Sequence, residues 1–280
     1  MRGVAAKPAL PRRAGRLGVL GWPVLHSRSP AMHRAAFAAL RLEGWSYQLL
    51  PVPPDLFAET VAALPAAGFV GANVTVPHKE AALALAGSAS DAAREIGAAN
   101  TLCFSPNGAI HAENTDAPAL IASLPVDPRG AEAVILGAGG TARSAAWALR
   151  EAGASVAVWN RSPQRALALA RDLRVAATDR VESGDLLVNC TTVGLEEGWE
   201  DPEKVLQSLA LNTDLLSTYA CVVDFVYGRR ETRLLKVARE LGVRTVDGPM
   251  MLCEQGALSF ELWTGREAPR AVMARAVAEV

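Results

Sequence analysis

Nowhere does the sequence run for the roughly 18 uninterrupted apolar residues that a membrane-spanning helix requires, although half of its residues are hydrophobic. Charge of one sign is not in excess either. The formal net charge is -1, so no overall basic field favours nucleic acid or an anionic membrane surface, and neither is expected as a partner. Cysteine is scarce and dispersed: Cys103, Cys190, Cys221 and Cys253 form no C-x-x-C pair. That spacing argues against a disulfide framework and against a metal site, and suits reduced, buried thiols in a cytoplasmic protein. Internal repeats and low-complexity tracts are also missing. What remains is a chain of 280 residues, one fifth of them charged, long enough to bury a substantial core and to form two domains.

Residues 1–16 stand apart, with Arg2, Lys7, Arg12, Arg13 and Arg16, two prolines and no acidic residue. They lack the apolar core of a signal peptide and read as a disordered tail. Beyond them strand and helix patterns alternate almost throughout, with strands expected at 17–21, 46–52, 70–76, 99–104, 132–136, 154–159, 185–190, 220–225 and 243–246. This is an α/β pattern. Pro125-Val126-Asp127-Pro128-Arg129-Gly130 is the best-marked domain junction.

The richest segment follows that junction. Ala133-Val134-Ile135-Leu136 reads as a strand, Gly137-Ala138-Gly139-Gly140-Thr141-Ala142 as a turn, Arg143 to Ala152 as a helix stopped by Gly153, and a second strand ends at Asn160-Arg161. In such a unit Gly137 permits the tight turn, Gly139 lets backbone N–H groups reach a pyrophosphate, and Ala142 lets helix and strand pack closely. A dinucleotide site built for NAD usually carries an Asp or Glu on the ribose hydroxyls at the end of the second strand. Here that place holds Asn160, Arg161 and Ser162, with Arg165 four residues beyond Arg161. A guanidinium fork suits a 2′-phosphate, so the expected cofactor is NADP. Asn160 and Ser162 also read as caps of a helix that begins at Pro163, a role compatible with the first.

The region before the junction crowds polar residues at strand ends. In Gly21 to Pro30, Ser27 and Ser29 precede a helix whose apolar face is Met32, Ala36, Ala39 and Leu40. The Ser29 hydroxyl suits either a helix cap or a carboxylate ligand. In Gly71 to Lys79, alternation puts Asn73 and Thr75 on one face, and Lys79 falls in the first turn of a helix expected from Pro77. A cation there opposes the helix dipole, which points either to a solvated lysine or to one placed for acid–base work. Ala99-Asn100-Thr101 and Glu113-Asn114-Thr115-Asp116 lie at the ends of a strand pair turned by Ser105-Pro106-Asn107-Gly108, with Asp116 either a helix cap or a site carboxylate.

Taken in order, these tags resemble the shikimate dehydrogenases, NADP-dependent enzymes of aromatic amino-acid biosynthesis. The resemblance runs from Leu17 to Gly265 and is carried by H-S-x-S-P at His26 to Pro30, N-V-T-x-P-x-K at Asn73 to Lys79, G-A-x-N-T at Gly97 to Thr101 and N-T-D at Asn114 to Asp116. It continues through G-A-G-G at Gly137, N-R-S at Asn160, N-x-T-x-x-G at Asn189 to Gly194 and Gln255-Gly256-Ala257. It implies a discontinuous α/β substrate domain, residues 17–116 and 249–280, with an inserted Rossmann-type NADP-binding domain at 117–248. It further implies that Ser27 and Ser29 hold the substrate carboxylate, that Thr75, Lys79, Asn100, Asp116 and Gln255 bind its hydroxyls, that Lys79 and Asp116 are the catalytic pair, and that Tyr227 closes the site from the cofactor side. Two positions depart from the family pattern: Arg34 stands where an asparagine is usual and Arg229 where a proline is. A quinate-accepting dehydrogenase and a non-catalytic NADP-binding module are the alternatives, and the expected assembly is a monomer or a homodimer.

Overall fold

A computed structural model describes residues 14–195, 198–228 and 230–279. Arg229 and residues 1–13 of the expected tail therefore lie outside the described residues. The first strand begins at Gly15, two residues inside the expected tail, and Arg16 is held there by a hydrogen bond to the Ala67 carbonyl and by the Phe69 ring beneath its guanidinium.

Two six-stranded sheets form. The first contains β1 (Gly15–Gly21), β2 (Trp45–Pro51), β3 (Gly71–Val74), β4 (Ser88–Ala89), β5 (Thr101–Phe104) and β6 (Ile110–Glu113), in the order β2-β1-β3-β5-β6-β4. It is mixed: β1 runs parallel to β2 and β3, while β5 is antiparallel to β3 and β6. Helices α1 (Ser29–Ala39), α2 (Phe57–Ala63), α3 (Lys79–Leu85) and α4 (Asp91–Ile96) connect its strands, and α5 (Asp116–Ser123) leaves it.

The second sheet contains β7 (Glu132–Leu136), β8 (Ser155–Trp159), β9 (Ala176–Ala177), β10 (Leu186–Asn189), β11 (Cys221–Asp224) and β12 (Arg244–Val246). All its pairings are parallel, in the order β9-β8-β7-β10-β11-β12, so the winding reverses between β7 and β10. Its helices are α6 (Gly140–Glu151), α7 (Pro163–Leu173), α8 (Pro202–Ser208), α9 (Thr213–Leu216) and α10 (Arg233–Glu240). Strand alternation explains why both faces are covered. Ala133, Ile135, Leu186, Val188, Cys221 and Val223 face one layer with Ala145, Leu149 and Leu169 of α6 and α7, whereas Val134, Leu136, Leu187 and Val222 face the other with Leu206, Leu234 and Leu235. A parallel sheet with this strand order, switch point and helix layers is the Rossmann-type half that the glycine turn implies.

The last two helices, α11 (Gly248–Thr264) and α12 (Arg270–Ala278), return to the first sheet. Leu252, Phe260, Trp263, Met273 and Val277 pack with Leu17, Val19, Met32 and Phe37, while Met251 packs into the core of the second sheet. Helix α11 thus touches both halves at its first turn. Asp247 caps it by accepting from the Met250 N–H at 2.9 Å, and Gly265 ends it in the left-handed conformation. Among the described residues no helix is long and apolar enough to cross a membrane. Cys103, Cys221 and Cys253 are buried, Cys190 is half-buried, and all four are free.

Candidate active site

A cavity of about 220 Å³ opens between the carboxyl ends of the two sheets. Ser27, Ser29, Thr75, Lys79, Asn100, Asp116, Tyr227 and Gln255 all line it, together with Thr141 of the glycine turn. Residues so far apart in the chain are brought together because β1, β3, β5 and β6 all present an end to one side of the first sheet, while α11 and the loop after β11 close over them from the other.

Lys79 is the first residue of α3 and Asp116 the first of α5, so two helix starts meet. The Lys79 Nζ donates to Asp116 Oδ2 at 2.6 Å and to Thr141 Oγ1 at 2.8 Å; Lys79 and Asp116 are almost wholly buried, at 8% and 4% exposed. The helix dipole that disfavours the lysine favours the carboxylate beside it, and the ion pair offsets the burial of both charges. Asp116 does not cap its own helix. Asn114 Oδ1 accepts from the Ala117 N–H instead, leaving Asp116 Oδ1 to accept from Asn100 Nδ2 at 2.8 Å.

Asn100 is a junction. Its Nδ2 also donates to Thr115 Oγ1 and to Gln255 Oε1, and its Oδ1 accepts from the Thr115 N–H at 2.7 Å. A buried polar layer continues outward: Asn73 Nδ2 donates to the Asn100 carbonyl, to Thr101 Oγ1 and to Ser259 Oγ, and its Oδ1 accepts from the Tyr47 hydroxyl. Satisfied networks of this kind fix side-chain orientation because any partner lost leaves an expensive orphan. The family tag at Asn73 marks this layer without saying what it does. Ser259, Thr101, Thr115 and Tyr47 are absent from the sequence-based site, although Ser259 is one helical turn after Gln255 and Thr101 is next to Asn100.

The serine loop turns out differently from a simple cap. Arg28, not Ser29, occupies the N-cap position of α1 and makes no side-chain cap; Ser27 Oγ accepts from the Ser29 N–H and donates to Ser29 Oγ at 3.1 Å. The Ser29 hydroxyl is thus not spent on the helix, the Ser27 hydroxyl meets its first N–H, and both serines line the cavity. Buried Arg28 braces the loop by donating to the Val277 carbonyl at 2.9 Å and to the Gly228 carbonyl, which lies beside Tyr227. Arg34 is exposed and donates to the Pro30 carbonyl within its own helix.

On the second sheet, Gly137 follows β7 with φ +113° against the Cys190 carbonyl, a conformation that favours glycine. A Cβ on Gly139 would meet nothing within 4 Å, whereas one on Gly140 would fall 2.6 Å from the Lys79 Cβ. The turn is therefore open where a pyrophosphate would approach and closed where it meets the lysine. Ala138, Gly139, Gly140 and Thr141 are half-buried around the start of α6, and Ala142 is fully buried in the helix–strand core. Arg161 and Arg165 are exposed at the end of β8 and in the first turn of α7, and neither has an ion pair among the described residues. Neither Asn160 nor Ser162 caps α7 with its side chain; Asn160 Nδ2 donates to the Ser162 carbonyl at 3.0 Å. An open glycine turn at a helix start, with two guanidinium groups beyond the second strand that no carboxylate among the described residues neutralises, fits NADP.

The far wall is set by Asn189 and Asp224, which end β10 and β11. Asn189 holds Thr191, and Asp224 accepts from Asn189 Nδ2, from Thr232 Oγ1 at 2.6 Å and from the Val226 N–H next to Tyr227. Burial pushes the Asp224 carboxyl up to about 6, against the pull of those three donors.

The chain is similar to known proteins over most of its length. Residues 19–102 match the shikimate dehydrogenase substrate binding domain, residues 121–191 the shikimate / quinate 5-dehydrogenase model, and residues 251–278 the shikimate 5'-dehydrogenase C-terminal domain. A shikimate dehydrogenase (NADP(+)) of Thermus thermophilus is 44% identical over 254 residues, covering 89% of this chain and 92% of its own. One from Anaeromyxobacter sp. is 43% identical over 283 residues, covering 95% and 96%. The crystal structure of a Thermus thermophilus shikimate 5-dehydrogenase in complex with NADP(H) and shikimate superposes with a TM-score of 0.83 at 39% identity, over 94% of this chain and 98% of that one. With the cavity, the glycine turn and full-length similarity in agreement, the chain belongs to the shikimate dehydrogenase family.

Proposed function

We propose that this protein catalyses the reversible NADPH-dependent reduction of 3-dehydroshikimate to shikimate, the oxidoreductase step of chorismate and aromatic amino-acid biosynthesis that its family performs. The observation that carries the reading is the Lys79 Nζ, held at once by a carboxylate of the first sheet and by the hydroxyl of the second sheet's glycine turn. An acid–base pair held between the two sheets in this way is what hydride exchange between a nicotinamide and a hydroxyl substrate calls for, which supports the reading. On this reading residues 17–116 and 249–280 form the substrate domain and 117–248 the cofactor domain.

NADPH, when bound along Gly137 to Ala142, supplies the hydride. The chain's own residues do the rest. Ser27 and Ser29 anchor the ring carboxylate through paired hydroxyls. Asn100, Thr75 and Gln255 fix the ring hydroxyls and so present one carbonyl to the cofactor side, while Tyr227 closes the wall. An ammonium has three N–H bonds, and Lys79 spends two on Asp116 and Thr141, leaving one for the reacting oxygen. It stabilises the developing oxyanion and delivers the proton on reduction, and it accepts that proton on oxidation, with Asp116 orienting the amine.

An absorbance assay following NADPH formation tests this directly. Shikimate with NADP should give turnover, quinate or NAD little; no turnover with any pairing would refute the function. Arg161→Ala should weaken NADP roughly 10-fold to 150-fold while sparing NAD, the worth of one charge-assisted hydrogen bond, and equal losses for both would remove Arg161 from the phosphate site. Ser29→Ala should raise the KM for shikimate about 10-fold with kcat and NADP affinity kept. Because Ser29 caps nothing, an early-melting variant that binds shikimate normally would contradict its assignment.

A further inference from the structure

Thr141 belongs to the glycine turn by sequence, yet its side chain is turned away from the open face of that turn and toward the catalytic pair. Its Oγ1 accepts from the Lys79 Nζ at 2.8 Å, across 62 residues and from one sheet's helix to the other's. The approach is close enough that Gly140, its neighbour, has no room for a Cβ against the Lys79 side chain. The remaining anchor of the amine, Asp116 Oδ2, lies on the substrate side at 2.6 Å. Lys79 is thus the one described side chain that is hydrogen-bonded to both the glycine turn and the carboxylate of the substrate network.

We propose that Thr141 is a positioning residue through which the state of the cofactor turn is transmitted to Lys79, so that NADP and shikimate bind with positive coupling. This rests on the reading of Lys79 as the proton-transfer group of a shikimate dehydrogenase. The physical argument is one of geometry. A lysine side chain carries four rotatable bonds, and a single carboxylate contact fixes its distance but not its direction. The second acceptor turns the third N–H into the cavity. The Thr141 backbone is the second residue of α6, in the segment whose N–H groups a pyrophosphate would order. Ordering that segment fixes Thr141 Oγ1, which fixes the amine, which lowers the cost of binding a hydroxyl against it; shikimate bound first orders the same chain of contacts in reverse, as linkage requires.

The test measures the Kd of shikimate by calorimetry with and without saturating NADP, on the wild-type protein and on Thr141→Val and Thr141→Ser. Valine keeps the shape and removes the acceptor; serine restores the acceptor and removes the methyl. In the wild type NADP should tighten shikimate by about 5-fold or more, in the range of ordinary site-to-site coupling. In Thr141→Val the factor should fall toward 1 with the NADP Kd, measured alone, changed less than about 3-fold, and kcat should drop more than the KM rises. Thr141→Ser should recover coupling and turnover together. Wild-type coupling that survives intact in Thr141→Val, or a wild type with no coupling at all, would overturn the proposal while leaving the dehydrogenase reading in place. Absence of wild-type turnover with shikimate and NADP would instead overturn that reading, so the two failures are distinguishable.

Discussion

Lys79→Ala is expected to lower kcat by roughly 100-fold to 10,000-fold, the range for removal of a positioned acid–base group, with shikimate binding comparatively intact. The structure makes a sharper statement than the single variant can. Asp116 gives one oxygen to Lys79 and the other to Asn100, so Asp116→Asn removes the charge that holds the amine and also forces a choice of which oxygen-bound partner to keep. Its loss should therefore approach that of Lys79→Ala rather than resemble that of a remote support. Because both residues act on the same proton through a contact of 2.6 Å, the double variant should lose far less than the product of the single losses. Steady-state rates of the four proteins close the cycle. Strictly multiplicative losses, or near-wild-type turnover in Lys79→Ala, would mean that the proton moves by another route.

Sequence pattern revealed what repeats along the chain and missed what is assembled across it. The longer strands, β1, β2, β7, β8, β10 and β11 among them, follow the expected spans because runs of aliphatic and β-branched residues leave little choice of structure. Strands β4 and β9, two residues each, are too short to carry any period, and they exist only because β6 and β8 offer an edge to pair with. Helix starts shifted for identifiable reasons. The helix expected from Pro77 starts at Lys79, since the His78 N–H first closes a turn on the Thr75 carbonyl, and α6 begins at Gly140 because the turn glycines already enter the helix. Candidate caps were the least legible feature: Ser29, Asp116, Asn160 and Ser162 all have cap chemistry, and none of the four side chains caps the helix beside it. Spacing shows that a residue can cap; only the tertiary neighbours show what competes for it. Likewise the Asn73–Thr101–Ser259 layer joins positions up to 186 residues apart, a relation no local window contains.

Acid should destabilise this protein through His33 to an extent unusual for one side chain. The ring is wholly buried in an aromatic cage, stacked on Tyr47 at 4.3 Å between centroids with Phe37, Phe260 and Trp263 around it, and neither of its nitrogens has a hydrogen-bond partner among the described residues. Burial alone pushes its pKa down from 6.5 to about 3. The one titratable neighbour stacked on it, Tyr47, is itself pushed up by burial and stays neutral, so no charge compensates a proton on the imidazole. The folded state therefore resists a proton that the unfolded chain accepts below 6.5. The stabilisation is fully present above that value and is lost as pH falls toward 3, at about 1.4 kcal/mol per pH unit, or roughly 5 kcal/mol at the limit. His33→Phe keeps the stacking and removes the titration. Urea unfolding of both proteins from about pH 7.5 to about pH 4.5 should show the wild type losing about 2 to 3 kcal/mol more than the variant over that interval, whatever their absolute difference at neutral pH. Groups common to the two proteins contribute equally to both curves and cancel in the comparison. Parallel curves would show that the imidazole finds a proton partner or water in the folded protein, and that the cage is not closed.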